Sequence, residues 1–230
     1  MTGGHDMKGR ISVLFAPAGE ADAFADNLRA YAKGAAASDI CLYVDLYFTK
    51  HANKFLLVEM YKGDAVPREN ESLSVIFGAL MPESRREFIY PVYSDPPMRR
   101  RPLTEPFDSA VFGGSRYISD APFGAFAAAY ILPGQEEQFL RAIGRVGEKV
   151  SAKEPGFLYA DMYRTDTPQR YLMVEVYASK AMLWGHQDFA HTKAFAQEKK
   201  QYEASKISAF TIRPAYSCGA LARVHDQARC

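Results

Sequence analysis

The sequence predicts an α+β fold in which one β-α-β-β-α-β unit occurs twice, the two copies packed sheet to sheet. Three observations lead there. First, the octapeptide Leu42-Tyr43-Val44-Asp45-Leu46-Tyr47-Phe48-Thr49 returns as Leu158-Tyr159-Ala160-Asp161-Met162-Tyr163-Arg164-Thr165, both of the form L-Y-x-D-x-Y-x-T. Second, each copy runs on to an apolar segment ending Val-Glu-x-Tyr, at Val58–Tyr61 and Val174–Tyr177, and the spacing is 116 residues in both segments. Third, nine of the 22 positions from Ile40 to Tyr61 are identical at that offset. A fixed offset across two separate segments marks an internal duplication.

The elements follow in order. Residues 1–9 are a polar, Gly-rich tail, and Arg10–Ala16 is a β-rich strand broken by Pro17-Ala18-Gly19. From Glu20 the pattern is helical, with Phe24, Leu28 and Tyr31 at i, i+4 and i+7, and an Ala-rich stretch carries the helix to Ala37. Ile40–Thr49 and Lys54–Tyr61 form a hairpin around His51-Ala52-Asn53. Leu73–Leu80 suits helix or strand, and Glu83–Phe88 reads as helix. Residues 94–108 hold four prolines and three consecutive arginines, the composition of a linker. The first repeat thus spans 10–93, with its closing strand near 107–113, and the second spans 124–214.

The second repeat opens with a strand from Ala125 to Leu132, broken by Pro133-Gly134. Its helix, from Gln135, carries Phe139, Ile143, Val146 and Val150 in one stripe; the first three answer Phe24, Leu28 and Tyr31 at an offset of 115. Glu154-Pro155-Gly156 turns the chain into the second copy of the octapeptide, and Asp166–Gln169 turns it into Arg170–Tyr177. A second helix covers Lys180–Tyr202 with a kink near Asp188, and Ile207–Ile212 closes the unit. This order is the split-βαβ, ferredoxin-like unit, four antiparallel strands with both helices on one face. The other face needs a cover, and a duplicated unit has one in its twin.

Alternation assigns the faces. Leu42, Val44, Leu46, Phe48, Leu56, Val58 and Met60 are expected under the helices, with Leu158, Ala160, Met162, Leu172, Val174 and Val176 as their twins. Tyr43, Asp45, Tyr47, Phe55, Glu59 and Tyr61, and their twins Tyr159, Asp161, Tyr163, Tyr171, Glu175 and Tyr177, are expected on the opposite face. Burying four carboxylates unpaired is costly, so that face is expected to line a partly solvated cavity between the two sheets.

Composition excludes several classes. Hydrophobic residues make up 48%, enough for a packed core, and the net charge of +1 offers no basic surface for nucleic acid. Arg99-Arg100-Arg101 reads as a solvated loop. Cys41, Cys218 and Cys230 form no C-x-x-C and no disulfide framework, which suits structural thiols in a reducing compartment. The N-terminus lacks the apolar run of a signal peptide, and no segment approaches the ~20 apolar residues needed to span a bilayer. A cytoplasmic location without membrane contact is the expectation.

Several segments of the second repeat resemble one family. These are Glu154-Pro155-Gly156, the strand to Arg164, Val174-Glu175-Val176-Tyr177, and Trp184-Gly185-His186-Gln187-Asp188-Phe189-Ala190-His191-Thr192-Lys193-Ala194-Phe195. In this order they resemble the antibiotic biosynthesis monooxygenases, dimeric α+β barrel proteins whose ferredoxin-like subunits pair sheet to sheet. The resemblance covers residues 124–214 and implies that a tandem fusion makes the usual dimer within one chain, as a monomer with an internal pseudo-dimer or a higher homo-oligomer. Members of the family oxidise quinols and polyphenols without a cofactor, degrade haem, isomerise small metabolites, or have no known activity. The haem-degrading branch uses an Asn on its first strand, where this chain has Phe126, Ala127, Ala128 and Ala129.

Candidate chemistry centres on His186 and His191, the histidines within the second repeat. Histidine suits proton transfer near neutral pH. Five residues apart on a continuous helix they would point about 140° apart, so they act together only if the helix breaks between them. At an offset of 107, Ala79 and Ser84 stand where these histidines stand, and Phe77 stands for Trp184, so the chemistry is confined to the second repeat. Tyr159, Asp161, Tyr163, Glu175, Tyr177 and Trp184 are the candidate substrate-binding residues. The spacing of His186, Asp188 and His191 fits no standard metal motif, and neither a Ser-His-Asp set nor a Gly-rich phosphate loop is present. The family resemblance implies cofactor-independent oxidation of a small electron-rich aromatic by molecular oxygen. An isomerase of the same fold, or a non-catalytic binding or stress-related module, is the alternative.

Overall fold

The computed structural model describes residues 7–63, 66, 84–92, 107–108, 122–154, 156–205 and 208–218. The linker at 94–106, the stretch Leu73–Leu80 and the Arg99–Arg101 loop lie outside them. The chain divides into two compact units, one holding Met1–Tyr90, Pro102–Arg116 and Ile212–Cys230, the other Pro91–Arg101 and Tyr117–Thr211. Among the described residues no helix is long and apolar enough to cross a membrane.

The first unit contains β1 (Met7–Phe15), α1 (Ala21–Ala36), β2 (Cys41–Thr49), β3 (Lys54–Lys62) and β4 (Arg85–Pro91). All its pairings are antiparallel and the sheet order is β4-β1-β3-β2, that of a ferredoxin-like repeat. A two-residue strand, β5 (Phe107–Asp108), also belongs to this unit. Helix α1 lays Phe24, Ala25, Leu28 and Ala32 on the sheet, where they meet Leu14, Val44, Leu46, Phe48, Phe55 and Leu57 in one buried cluster. Each side chain of this kind contributes roughly 1.5–3 kcal/mol by leaving water.

The second unit repeats the order with β6 (Phe123–Tyr130), α2 (Glu136–Lys153), β7 (Phe157–Thr165), β8 (Arg170–Tyr177), α3 (Lys180–His186) and α4 (Ala190–Glu198). A 3-10 turn at Lys199–Gln201 leads toward β9 (Ser208–Cys218), and the sheet order is β7-β8-β6-β9. Strand β9 is divided: residues up to Thr211 belong to the second unit, and Ile212–Cys218 belong to the first, where they pair with β2. The octapeptide threonines have a local role in both hairpins. Thr49 Oγ1 accepts from His51 N–H at 3.1 Å and Thr165 Oγ1 from Thr167 N–H at 3.1 Å, which fixes the two turns.

Three expectations are corrected. Of the helix expected over Glu83–Phe88, Arg85–Phe88 is strand instead: Arg85–Pro91 pairs with β1 from Gly9↔Ile89 to Val13↔Arg85. The charged run suggested a helix, but the free edge of β1 and the Phe-Ile-Tyr sequence at 88–90 settle the strand. That strand takes the closing slot expected near 107–113, where β5 instead pairs with β9. Of the offset-107 match of residues 79–88 with 186–195, residues 79–83 lie outside the described residues, and 85–88 are strand where 192–195 are helix.

The third correction concerns faces. The hairpin opposes Phe48 to Phe55 and Val44 to Glu59, and in the second repeat Arg164 to Tyr171 and Ala160 to Glu175. Six residues separate Phe48 from Phe55, and six separate Arg164 from Tyr171, so each opposed pair joins an even-numbered to an odd-numbered position. Opposed residues share a face. Phe55, Leu57, Glu59 and Tyr61 therefore lie under the helix, and Leu56, Val58 and Met60 lie on the other face with Tyr43, Asp45 and Tyr47. The second repeat follows the same rule. Both Val-Glu-x-Tyr segments thus aim their glutamates at the helices rather than into a space between sheets.

Candidate functional site

The two repeats differ most where they ought to match, on the helix-facing side of the sheet. In the first, Glu59 is fully buried and well partnered. Arg10 Nε donates to its Oε2 at 3.0 Å, Tyr61 OH donates to its Oε1 at 2.6 Å, and Tyr31 OH donates to the same oxygen. Burial, and next the Glu59 carboxylate, push the Tyr31 and Tyr61 hydroxyls above their ordinary pKa.

Register identifies the twins. Arg10, Ser12 and Leu14 stand opposite Glu59, Leu57 and Phe55, and Ala125, Ala127 and Ala129 stand opposite Glu175, Met173 and Tyr171. Three alanines replace Arg, Ser and Leu. On the neighbouring strand Ala160 replaces Val44, and on the helix Val146 replaces Tyr31. Where Ala127 and Ala129 replace Ser12 and Leu14, a cavity of about 60 Å³ lies between sheet and helices, walled by these alanines, Phe139, Ile143, Met173 and Phe195, with Lys199 and Glu203 also at its lining. Accessible surface extends along the strands beyond it, since Ala125 and Glu175 are half-buried where Arg10 and Glu59 are buried.

A polar cluster lies at the Tyr177 end of this strip. Glu154, 3% exposed, holds both histidines: His186 Nδ1 lies 3.0 and 2.9 Å from its two oxygens, and His191 Nε2 lies 2.6 Å from Oε1. A carboxylate only accepts, so each contacting nitrogen carries the proton, and His186 Nε2 and His191 Nδ1 are the basic positions. The helix breaks to allow this. α3 ends at His186, Gln187–Phe189 turn the chain, and α4 starts at Ala190. The break was the stated condition for the histidines to act together. His191 and Phe195 on α4, and Lys199 where the 3-10 turn begins, follow at i, i+4 and i+8, and the latter two line the cavity.

The cluster is anchored to the sheet. The Tyr177 ring packs 5.3 Å from His186, and Phe189 packs 5.3 Å from His191. The Tyr177 hydroxyl is buried with no partner at hydrogen-bonding geometry among the described residues; burial, then Glu175 and Glu154, push its pKa up. Glu175, between Met173 and Tyr177 on the helix-facing row of β8, joins cavity to cluster. Its carboxyl pKa is raised, foremost by burial; Glu154 adds to the shift, while His186 and Lys199 oppose it. Gly156 fixes the seat of α3: a Cβ there would lie 2.1 Å from Met182 Sδ.

The structure therefore brings together His186, His191, Glu175 and Tyr177. It does not bring in Tyr159, Asp161 and Tyr163, which alternate with Ala160 and Met162 and lie on the other face of the sheet. Trp184 is 47% exposed on α3, while its neighbour Leu183 is buried. Sequence reasoning gave Glu154 no chemical role, seeing it only in a turn and in the Glu154-Pro155-Gly156 resemblance, and missed the cavity walls. The signal was present in the exchange of Arg10, Ser12 and Leu14 for three alanines.

The comparisons with known proteins bear on the fold and the family. Residues 122–198 match the family model "Antibiotic biosynthesis monooxygenase". No curated protein matches the sequence. Among solved structures, a candidate monooxygenase of Lactobacillus acidophilus has a TM-score of 0.69 at 13% identity, covering 93% of this chain and 96% of its own. One from Fusobacterium nucleatum has a TM-score of 0.69 at 10% identity, covering 93% and 94%. An anthrone oxidase-like protein has a TM-score of 0.60 at 12% identity, covering 92% of each chain. At these identities the structures share the fold, and they share it across both repeats. With the family model on the second repeat, the chain is a tandem of ferredoxin-like units whose second member is similar to the antibiotic biosynthesis monooxygenases.

Proposed function

We propose that the second repeat oxidises a small electron-rich aromatic, a quinol or polyphenol, with molecular oxygen and no dedicated cofactor. The observation that carries this reading is the pair of imidazoles held on one buried carboxylate, with His191 one and two helical turns before Phe195 and Lys199 of an apolar cavity. A phenol is a poor one-electron donor and its anion a good one, so the protein's task is to take a proton in a water-poor site. His191, aligned with the cavity-lining residues of α4, is the base, and His186 is the second candidate. Glu154 fixes both rings and meets the charge that forms.

The phenolate passes one electron to oxygen, and the apolar walls keep the resulting radical pair together. Recombination forms a carbon–oxygen bond, and loss of water leaves a carbonyl. One oxygen atom enters the product and the other leaves as water, with both electrons coming from the substrate. The anthrone oxidase-like neighbour shares the fold and is consistent with such a substrate.

The test is oxygen uptake by metal-free protein over a panel of quinols. Uptake is expected, and His191→Ala should lower it by roughly 100-fold, the ordinary scale of general base catalysis. Absence of uptake with every quinol, or rates unchanged by replacing both histidines, would overturn the reading. Rearranged product formed without oxygen consumption would point to the isomerase instead.

A further inference from the structure

We propose that the first repeat is an internal cast of the ligand of the second: the space left at Ala125 and Val146 takes a neutral hydroxyarene whose phenolic O–H is received by Glu175. This rests on the oxidation reading and narrows its substrates to aromatics with a free hydroxyl at one end.

Glu59 and Glu175 occupy the same register position in the two repeats. Glu59 has three hydrogen-bond partners: the Arg10 guanidinium and the hydroxyls of Tyr31 and Tyr61. In the second repeat Tyr61 survives as Tyr177, while Arg10 has become Ala125 and Tyr31 has become Val146. Ala125 and Val146 are half-buried against the cluster that contains Tyr177 and Ala160. Among the described residues no side chain hydrogen-bonds the Glu175 carboxyl. A half-buried carboxyl with no donor from the protein keeps its acceptor positions free for a ligand, and ligand sites are built around a few such polar groups.

The vacated side chains were a phenol and a guanidinium, and two features decide between them. Along the same row of the sheet the cavity is walled by Ala127, Ala129, Phe139, Ile143, Met173 and Phe195, which suit a flat aromatic ring. Lys199 lines the same cavity and lies within electrostatic reach of Glu175, which disfavours a second cation. A phenol entering from the cavity repeats the contact that Tyr31 makes with Glu59, and it brings its acidic proton to the end of the strip where His186 and His191 sit.

The test is equilibrium binding without turnover. Hydroquinone and its dimethyl ether are titrated by calorimetry under anaerobic conditions into the full chain, its Glu175→Gln variant and its Val146→Tyr variant. Hydroquinone should bind the wild type at least tenfold more tightly than the ether, Glu175→Gln should weaken it about tenfold, and Val146→Tyr should abolish it by supplying the missing phenol from the protein. Equal affinity for the ether, or benzamidine binding more tightly than hydroquinone, would overturn the proposal; neither measurement depends on a variant folding. Selective binding without oxygen uptake in air would leave this inference standing and remove the oxidation reading. Oxygen uptake with hydroquinone that depends on His191, beside equal affinity for the ether, would do the reverse.

Discussion

At the scale of the residue, the two repeats set one problem, a glutamate under a helix, and answer it in opposite ways. Glu59 is neutralised by Arg10, so Arg10→Ala should leave a buried, under-partnered charge and cost about 3–5 kcal/mol in urea denaturation. Glu175 should respond with the opposite sign. Its folded pKa lies above the ordinary value, so the native state binds the proton more tightly than the unfolded chain does. Stability contributed by that proton is present below the unfolded pKa and is lost as pH rises through the folded one. Glu175→Gln should therefore raise the melting temperature by about 2–4 °C at neutral and alkaline pH, and flatten the fall in stability above the carboxyl range. A variant less stable than wild type at pH 8 would show that Glu175 has protein partners after all.

At the scale of the element, the sequence was a good guide to what recurs and a poor guide to what depends on a partner. The octapeptide, the hairpins and the stripes Phe24-Leu28-Tyr31 and Phe139-Ile143-Val146 are periodic, and periodicity is written in one chain segment. Which face Glu59 and Glu175 take is decided by a hairpin register, and whether Arg85–Pro91 is a strand is decided by the edge of β1; neither is local. The helix break at Gln187–Phe189 was legible only as a kink, yet it brings His186 and His191 onto Glu154. The seat of α3 also depends on contact rather than propensity. Gly156→Ala would press a methyl into Met182, including its Cβ at 2.9 Å, which rotation of the side chain does not relieve. We expect about 1–3 kcal/mol of destabilisation from overpacking and a loss of oxygen uptake as α3 carries His186 off Glu154. Adding Met182→Ala should restore most of both, and a double-mutant cycle measures the coupling.

At the scale of the whole molecule, duplication followed by divergence leaves two units of one fold with different interiors. The helix-facing side of the first is filled by Arg10, Leu14, Val44 and Tyr31; the second has Ala125, Ala129, Ala160 and Val146 at the same positions. Four larger-for-smaller exchanges on one face are worth several kcal/mol of packing, so the second unit carries its cavity at a cost in stability that the first does not bear. The binding stoichiometry should accordingly be one hydroquinone per chain. Removing the plug from the first unit tests this directly. The Arg10→Ala/Tyr31→Val pair gives Glu59 the surroundings of Glu175, and calorimetry should then report a second, weaker site per chain. The double variant is destabilised, so the complementary change is measured beside it. Ala125→Arg/Val146→Tyr rebuilds the guanidinium and the phenol around Glu175, and it should bind no hydroquinone while melting at or above the wild-type temperature. A stoichiometry of one in that filled variant would place the ligand somewhere other than the space its side chains occupy.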